Sequence, residues 1–145
     1  MFGSKKDNQF ASGGHTLFDR ALQIDGSVKF SGTLDVEGTV NGNVIASSGS
    51  DALIRVREHG TINGDIRAPK IIINGKVNGD VYSSKHLEMA NHAEVNGNVH
   101  YHVIEMVKGA HVNGSLVYEP EADSHKIKQS SKSKVEMLKP EAAKV

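Results

Sequence analysis

The sequence predicts an all-β fold, a parallel β-helix of about six rungs with a tail at each end. Three observations carry that prediction. A five-residue phrase built on Asn-Gly recurs five times. Residues at fixed offsets from its Asn keep their chemical class at each recurrence. The composition has 15 glycines, no tryptophan and many Val and Ile, which suits short strands of branched side chains punctuated by tight turns.

The elements can be justified in chain order. The core opens at Ile24-Asp25-Gly26-Ser27-Val28, with Leu22 before it and Phe30 after it, as a first rung. The segment Thr16 to Leu22 reads as a first strand, with a short capping helix as the alternative, Thr16 at its N-cap and Asp19 three residues on. The second rung has Leu34 and Val36, then Val40-Asn41-Gly42-Asn43-Val44. The third has Leu53 to Val56, then Ile62-Asn63-Gly64-Asp65-Ile66. The fourth has Ile71 to Ile73, then Val77-Asn78-Gly79-Asp80-Val81. The fifth has Leu87 and Met89, then Val95-Asn96-Gly97-Asn98-Val99. The sixth has Ile104 and Met106, then Val112-Asn113-Gly114-Ser115-Leu116, with Val117 and Tyr118 closing it.

The residue three before each Asn is always small: Gly38, Gly60, Gly75, Ala93 and Ala110. The Asn residues are 22, 15, 18 and 17 apart. That period, with short β segments, is a solenoid signature. Like residues stack on like, ~4.8 Å apart, which explains the constant columns. Gly is expected at the corner for its tolerance of positive φ, and stacked Asn side chains are placed to hydrogen-bond between rungs. A buried Val, Leu or Ile contributes ~1.5–3 kcal/mol, whereas ordering each residue's backbone costs ~1–2 kcal/mol. One rung alone therefore cannot fold, and stability comes from neighbours. Asn-Gly is also a favoured hairpin turn, so a sandwich or barrel of hairpins is the main rival. Hairpins do not require a small residue three places before every Asn. A left-handed hexapeptide helix fits Gly26, Gly32 and Gly38 but not the later spacings.

The run from Ile24 to Val28, the run from Gly32 to Val44 and the phrase Gly75-Lys76-Val77-Asn78-Gly79-Asp80-Val81 resemble the core of the bactofilin family over roughly Leu22 to Tyr118. The resemblance implies a right-handed parallel β-helix, residues 20–118, between disordered tails at 1–19 and 119–145. It implies a bacterial cytoskeletal protein that polymerises without nucleotide, like ends of the helix meeting in non-polar filaments. It also implies association with the inner face of the cytoplasmic membrane and a role in localising cell-wall enzymes and other morphogenetic proteins.

The residues support self-assembly on their own. An open β-helix has two rims of unpaired backbone groups over an apolar interior, which monomeric proteins blunt with charge, proline or a cover. Neither end carries an obvious dedicated cap. The expected polymer interface is Leu22, Ile24, Val28 and Phe30 at one end and Val112, Leu116, Val117 and Tyr118 at the other. Met1, Phe2, Lys5 and Lys6 are the expected membrane contact, two apolar side chains beside two cations, against the alternative of a solvated terminus. Each lysine near an anionic surface adds ~1 kcal/mol, and a filament multiplies the effect. Phe2 excludes the glycine that myristoylation needs. The acid-free stretch His125 to Lys134 reads as a solvated linker, with binding of acidic partners or lipid as the alternative.

Other chemistries find little support. The 17 basic and 17 acidic residues cancel, so charge does not point to nucleic acid. The absence of cysteine excludes disulfides and thiolate sites, and no apolar run reaches the ~18 residues of a membrane span. A cytoplasmic protein is expected. No phosphate-binding Gly-x-x-x-x-Gly-Lys-Ser/Thr loop exists. His59 and His92 share a column but lie about two rungs apart, ~9.6 Å, too far for one metal. His100 and His102 have no aligned third ligand. Asp65 and Asp80 read as a polar corner column rather than a catalytic carboxylate pair. No cofactor and no catalytic residue is assigned. The alternatives are a β-helix enzyme, such as a hexapeptide-type acyltransferase with His59 or His92 as base, and a monomeric adaptor.

Overall fold

The computed structural model describes residues 14–120. The chain winds about six times around one axis, and each turn lays a strand on each of three faces. Rung 1 holds β1 (His15–Phe18), β2 (Gln23–Asp25) and β3 (Val28–Phe30). Rung 2 holds β4 (Thr33–Val36), β5 (Thr39–Asn41) and β6 (Val44–Ala46). Rung 3 holds β7 (Leu53–Val56), β8 (Thr61–Asn63) and the first half of β9 (Ile66–Ile73). Rung 4 takes the second half of β9, then β10 (Lys76–Asn78) and the first half of β11 (Val81–Met89). Rung 5 takes the rest of β11, then β12 (Glu94–Asn96) and β13 (Val99–Tyr101). Rung 6 holds β14 (Ile104–Met106), β15 (His111–Val112) and β16 (Leu116–Tyr118).

Strand pairing is parallel throughout the described residues. The second face is a single sheet in the order β15-β12-β10-β8-β5-β2. The first and third faces merge into one sheet because β9 and β11 round the corner without leaving the strand. Hairpins pair antiparallel, so the sandwich of hairpins is excluded, and the solenoid expectation holds.

Register explains the columns of the sequence. Val40 stacks on Ile62 and Asn41 on Asn63, Val77 on Val95 and Asn78 on Asn96. Leu34, Ile54, Ile71 and Leu87 form one inward column, each 0–1 % exposed. Val44, Ile66, Val81 and Val99 form another, fully buried. At ~1.5–3 kcal/mol for each buried aliphatic, these columns hold the rungs together.

The uneven spacing comes from the corners. The longest interval contains the excursion from Ser47 to Ala52 between β6 and β7. The shortest, from Asn63 to Asn78, uses the continuous β9 instead. The wider turns close on themselves, as where the Gly60 N–H donates to the Arg57 carbonyl at 2.8 Å and the Ala93 N–H to the Ala90 carbonyl at 3.0 Å.

The first strand expected within Thr16 to Leu22 is present as β1, in place of the alternative helix, and a turn follows in which the Leu22 N–H donates to the Asp19 carbonyl at 2.9 Å. Two other expectations change. Rung 1 therefore starts at His15, inside the stretch 1–19 assigned to a tail, and earlier than Leu22. The corner glycines are also explained differently. Among the described residues, positive φ occurs at Gly26, Gly32, Gly49 and Gly109, not at the Asn-Gly glycines of rungs 2 to 6. A Cβ on Gly79 would stand 2.2 Å from the Gly64 carbonyl oxygen, and one on Gly114 2.0 Å from that of Gly97. Glycine is required there because consecutive corners touch backbone to backbone. The proposed membrane residues Met1, Phe2, Lys5 and Lys6, and the stretch His125 to Lys134, lie outside the described residues.

Candidate assembly surfaces

Three features of the solenoid bear on function: the polar corner that locks rungs together, an ionic pin near the first rung, and the two rims. At the corner, the Asn column forms a one-way chain of amides. Asn113 Nδ2 donates to Asn96 Oδ1 at 2.7 Å, and Asn96 Nδ2 to Asn78 Oδ1 at 2.8 Å. Asn78 Nδ2 donates to Asn63 Oδ1 at 2.7 Å and Asn63 Nδ2 to Asn41 Oδ1 at 2.8 Å. Asn41 Nδ2 ends the chain on Asp25 Oδ1 at 2.8 Å. The hydrogen bonds from Asn41 and then Gln23 hold the Asp25 carboxyl below the usual carboxylate range, against a small effect of burial. A carboxylate suits this end because the amide N–H groups all point toward it.

Two residues further on, a second column uses only a side-chain oxygen. Asn43 Oδ1 accepts the Asp65 N–H, Asp65 Oδ1 the Asp80 N–H and Asp80 Oδ1 the Asn98 N–H, each at 2.9 Å. Asn98 Oδ1 accepts the Ser115 N–H at 3.1 Å. Asp and Asn interchange here because only an acceptor is needed. Asp65 and Asp80 are thus engaged in holding the corner, the expected polar column.

The pin joins three rungs. Asp35 on β4 is 3 % exposed. Arg55 on β7 grips it with Nε at 2.6 Å and Nη2 at 3.0 Å, and His15 Nε2 reaches it at 2.5 Å from β1. Burial opposes the Asp35 charge, but hydrogen bonds and charge from Arg55 and His15 outweigh it, and the carboxyl sits below its ordinary range. Arg55 is correspondingly raised, chiefly by Asp35.

The rims are where the expected interface residues lie. Strands β1, β2 and β3 each have one neighbour among the described residues, as do β14, β15 and β16. Among the described residues, the outward edge of each end rung therefore has no strand beside it. At rung 1, Val28 and Phe30 are half-buried against the core and Ile24 is half-buried, while Leu22 is exposed. At rung 6, Val112 and Val117 are half-buried, whereas Leu116 is 47 % and Tyr118 60 % exposed. The structure adds Leu17, 55 % exposed, at rung 1, and Val103, Met106 and Val107 at rung 6. Met106 continues the inward column of Ile73 and Met89 and is exposed because no strand stacks on it among the described residues.

The histidines are dispersed. His92 has its N–H on Asn74 Oδ1 at 2.9 Å, and its ring lies 3.7 Å from Glu58. His100 Nδ1 lies 3.0 Å from Glu119 Oε2, and His102 Nδ1 lies 3.2 Å from the Glu119 carbonyl. One trio, His86, Glu88 and Glu105, has ligand atoms within 4.8 Å of one another on the outer first face. Sequence reasoning missed it because Glu105 joins the other two only when rung 6 stacks on rung 5. All three are substantially exposed, and such groupings are common on acidic surfaces.

A protein-family model described as Bactofilin, polymer-forming cytoskeletal, matches residues 16–117. No curated protein and no solved structure matches the chain.

Proposed function

The chain belongs to the bactofilin family of polymer-forming cytoskeletal proteins, and from that premise we propose that it assembles end to end through its two rims into filaments that need no nucleotide. The observation that carries this reading is the pair of rims, each a strand edge unpaired among the described residues and lying beside exposed large apolar side chains. An uncapped edge is a template for another chain. An interface at each end propagates rather than closes. The interface comprises Leu22, Ile24, Val28 and Phe30 at rung 1 and Val112, Leu116, Val117 and Tyr118 at rung 6, with Leu17, Met106 and Val107 added from the structure. The work of the protein is architectural rather than catalytic.

Membrane attachment completes the proposal. Met1, Phe2, Lys5 and Lys6 carry the apolar and cationic groups that an anionic bilayer surface receives. The filament then lies on the inner face of the cytoplasmic membrane and there localises cell-wall enzymes or other morphogenetic proteins.

The test is flotation of the full chain with vesicles containing anionic lipid, alongside a variant lacking residues 1–6. The full chain floats as filaments and the truncated chain stays below as filaments. If both float equally, the membrane assignment fails. If neither forms filaments at any concentration, the assembly assignment fails with it.

A further inference from the structure

A groove of about 890 Å³ runs where the third face turns into the first. The excursion at Ser47 and Ser48 forms part of its wall, and Arg67, Tyr82 and His100 from consecutive rungs line its base. These three side chains stack. The Arg67 guanidinium carbon lies 3.7 Å from the Tyr82 ring centroid, and the Tyr82 and His100 rings are 4.5 Å apart, nearly parallel. Stacking orders the guanidinium without using its donors. Lys70 and Lys85, beside the groove, both engage Asp51, at 3.1 and 3.3 Å. Arg67 makes no ion pair among the described residues.

The chain leaving rung 6 enters this groove. Glu119 and Pro120 line its end, with the Glu119 carboxylate on His100 and its carbonyl beside His102. The next residues are Glu121, Ala122 and Asp123. Acids at 119, 121 and 123 alternate with Pro120 and Ala122, so an extended segment presents its carboxylates on one side. Arg67 lies two strands from His100 in register, a distance of ~9.6 Å at the usual strand spacing. An extended chain advances ~3.3 Å per residue. The Glu119 backbone lies on rung 6, one strand beyond His100, so Arg67 is ~14 Å from it; Asp123, ~13 Å along an extended chain, comes level with Arg67, and Glu121, about halfway, meets it through the reach of the two side chains.

We propose that residues 121–123 dock in this groove, with Glu121 and Asp123 paired to Arg67. The site takes an extended acidic segment, and the occupant is the chain's own continuation. Docking leads the chain along the side of the solenoid and leaves the rung 6 rim open to a second copy. The inference stands whether or not the rims meet.

Disulfide trapping tests it in the full chain, which has no cysteine of its own. Ser84→Cys lines the groove and is paired with Ala122→Cys, or with Ala142→Cys as a control. The Ala122 pair should close within one chain at least ~10-fold faster than the control, the kind of advantage a held segment has in effective concentration. Arg67→Gln should remove that advantage. Arg67→Glu combined with Glu121→Lys and Asp123→Lys should restore it. A urea midpoint unchanged by these exposed substitutions excludes misfolding as the cause. Equal rates for the two pairs overturn the proposal, as does a rate indifferent to Arg67. So does a disulfide that forms only between chains when the two single-cysteine proteins are mixed, which would mean that a second copy's segment fills the groove.

Discussion

The two ends of the solenoid are built from the same rung yet are finished differently. Rung 1 exposes Leu17 and Leu22, ends its amide chain on the Asp25 carboxylate, and is tied down by His15 on Asp35. Rung 6 exposes Val103, Met106, Val107, Leu116 and Tyr118. The first end is the more polar and the better anchored. The second presents the larger apolar patch, of the kind that marks an interaction site on a soluble protein. The difference teaches that the rims are not interchangeable, and the proposed assembly then predicts contact at rung 6 at lower concentration than contact at rung 1.

Substitution at the rims breaks or sharpens that comparison with the largest expected effect. Leu116→Arg places a charge in the rung 6 patch and should abolish filaments, as seen by sedimentation and negative stain. Leu17→Arg should leave discrete pairs joined through rung 6, read by analytical ultracentrifugation, if like ends meet. Monomers from both variants would mean that rung 1 docks on rung 6 instead. Filaments from both would remove the rims from the assembly contact.

Stability changes come next, because the interior rungs have neighbours on both sides and the end rungs do not. Ile62→Ala, in the fully buried second face, should cost about 4 kcal/mol in urea denaturation, within the range for large-to-small core changes. Val112→Ala, half-buried in rung 6, should cost under about 1 kcal/mol by the area it removes. Equal losses would deny that the ends are less tightly held. Gly79→Ala forces a methyl against the Gly64 carbonyl and should cost about 3 kcal/mol or more, the upper range for overpacking against an unyielding neighbour. A neutral result would show that the corners do not touch.

The most local effect is the response of the rung 1 end to acid. The Asp35 carboxyl is depressed in the folded state by Arg55 and His15 acting against burial. A depressed carboxyl contributes stability that is complete above the ordinary carboxylate range and is lost as pH falls through the folded value. Amide exchange in β1 should therefore speed up below that range, while the Asn corner of rungs 3 to 5 holds. Asp35→Asn should remove that pH response and cost about 1–2 kcal/mol at neutral pH, the value of hydrogen bonds to a charge discounted for solvent at the half-exposed Arg55. Protection in β1 that ignores acid would remove the pin from the account.

How much of this was legible in the sequence follows from what stacking repeats. Columns of Asn, Gly and aliphatics were readable because each rung must meet the next in register, so one rung's chemistry constrains all. Rung 1 was read late because β1 has no Asn-Gly phrase and its corner carries Asp25 where other rungs carry Asn. The reason for glycine was misjudged because a close approach between rungs and a positive φ leave the same mark in a sequence. The His86, Glu88 and Glu105 trio and the Arg67 to His100 stack were invisible because outward residues repeat no pattern and meet only through the winding. Met106 sits in an ordinary strand position, stacked on Met89, and only the absence of a neighbouring rung among the described residues makes it surface; Leu17, in register with Asp35, faces outward.

The most direct test is the axial repeat of the filament, measured by cryo-electron microscopy of the full chain without added nucleotide. Six rungs at the usual strand spacing give a rise of roughly 29 Å per protomer with a 4.8 Å periodicity along the axis. That result would mean the rims meet and the solenoid runs on from copy to copy. A filament whose strands run along its axis, or a particle that stays single at high concentration, would contradict it.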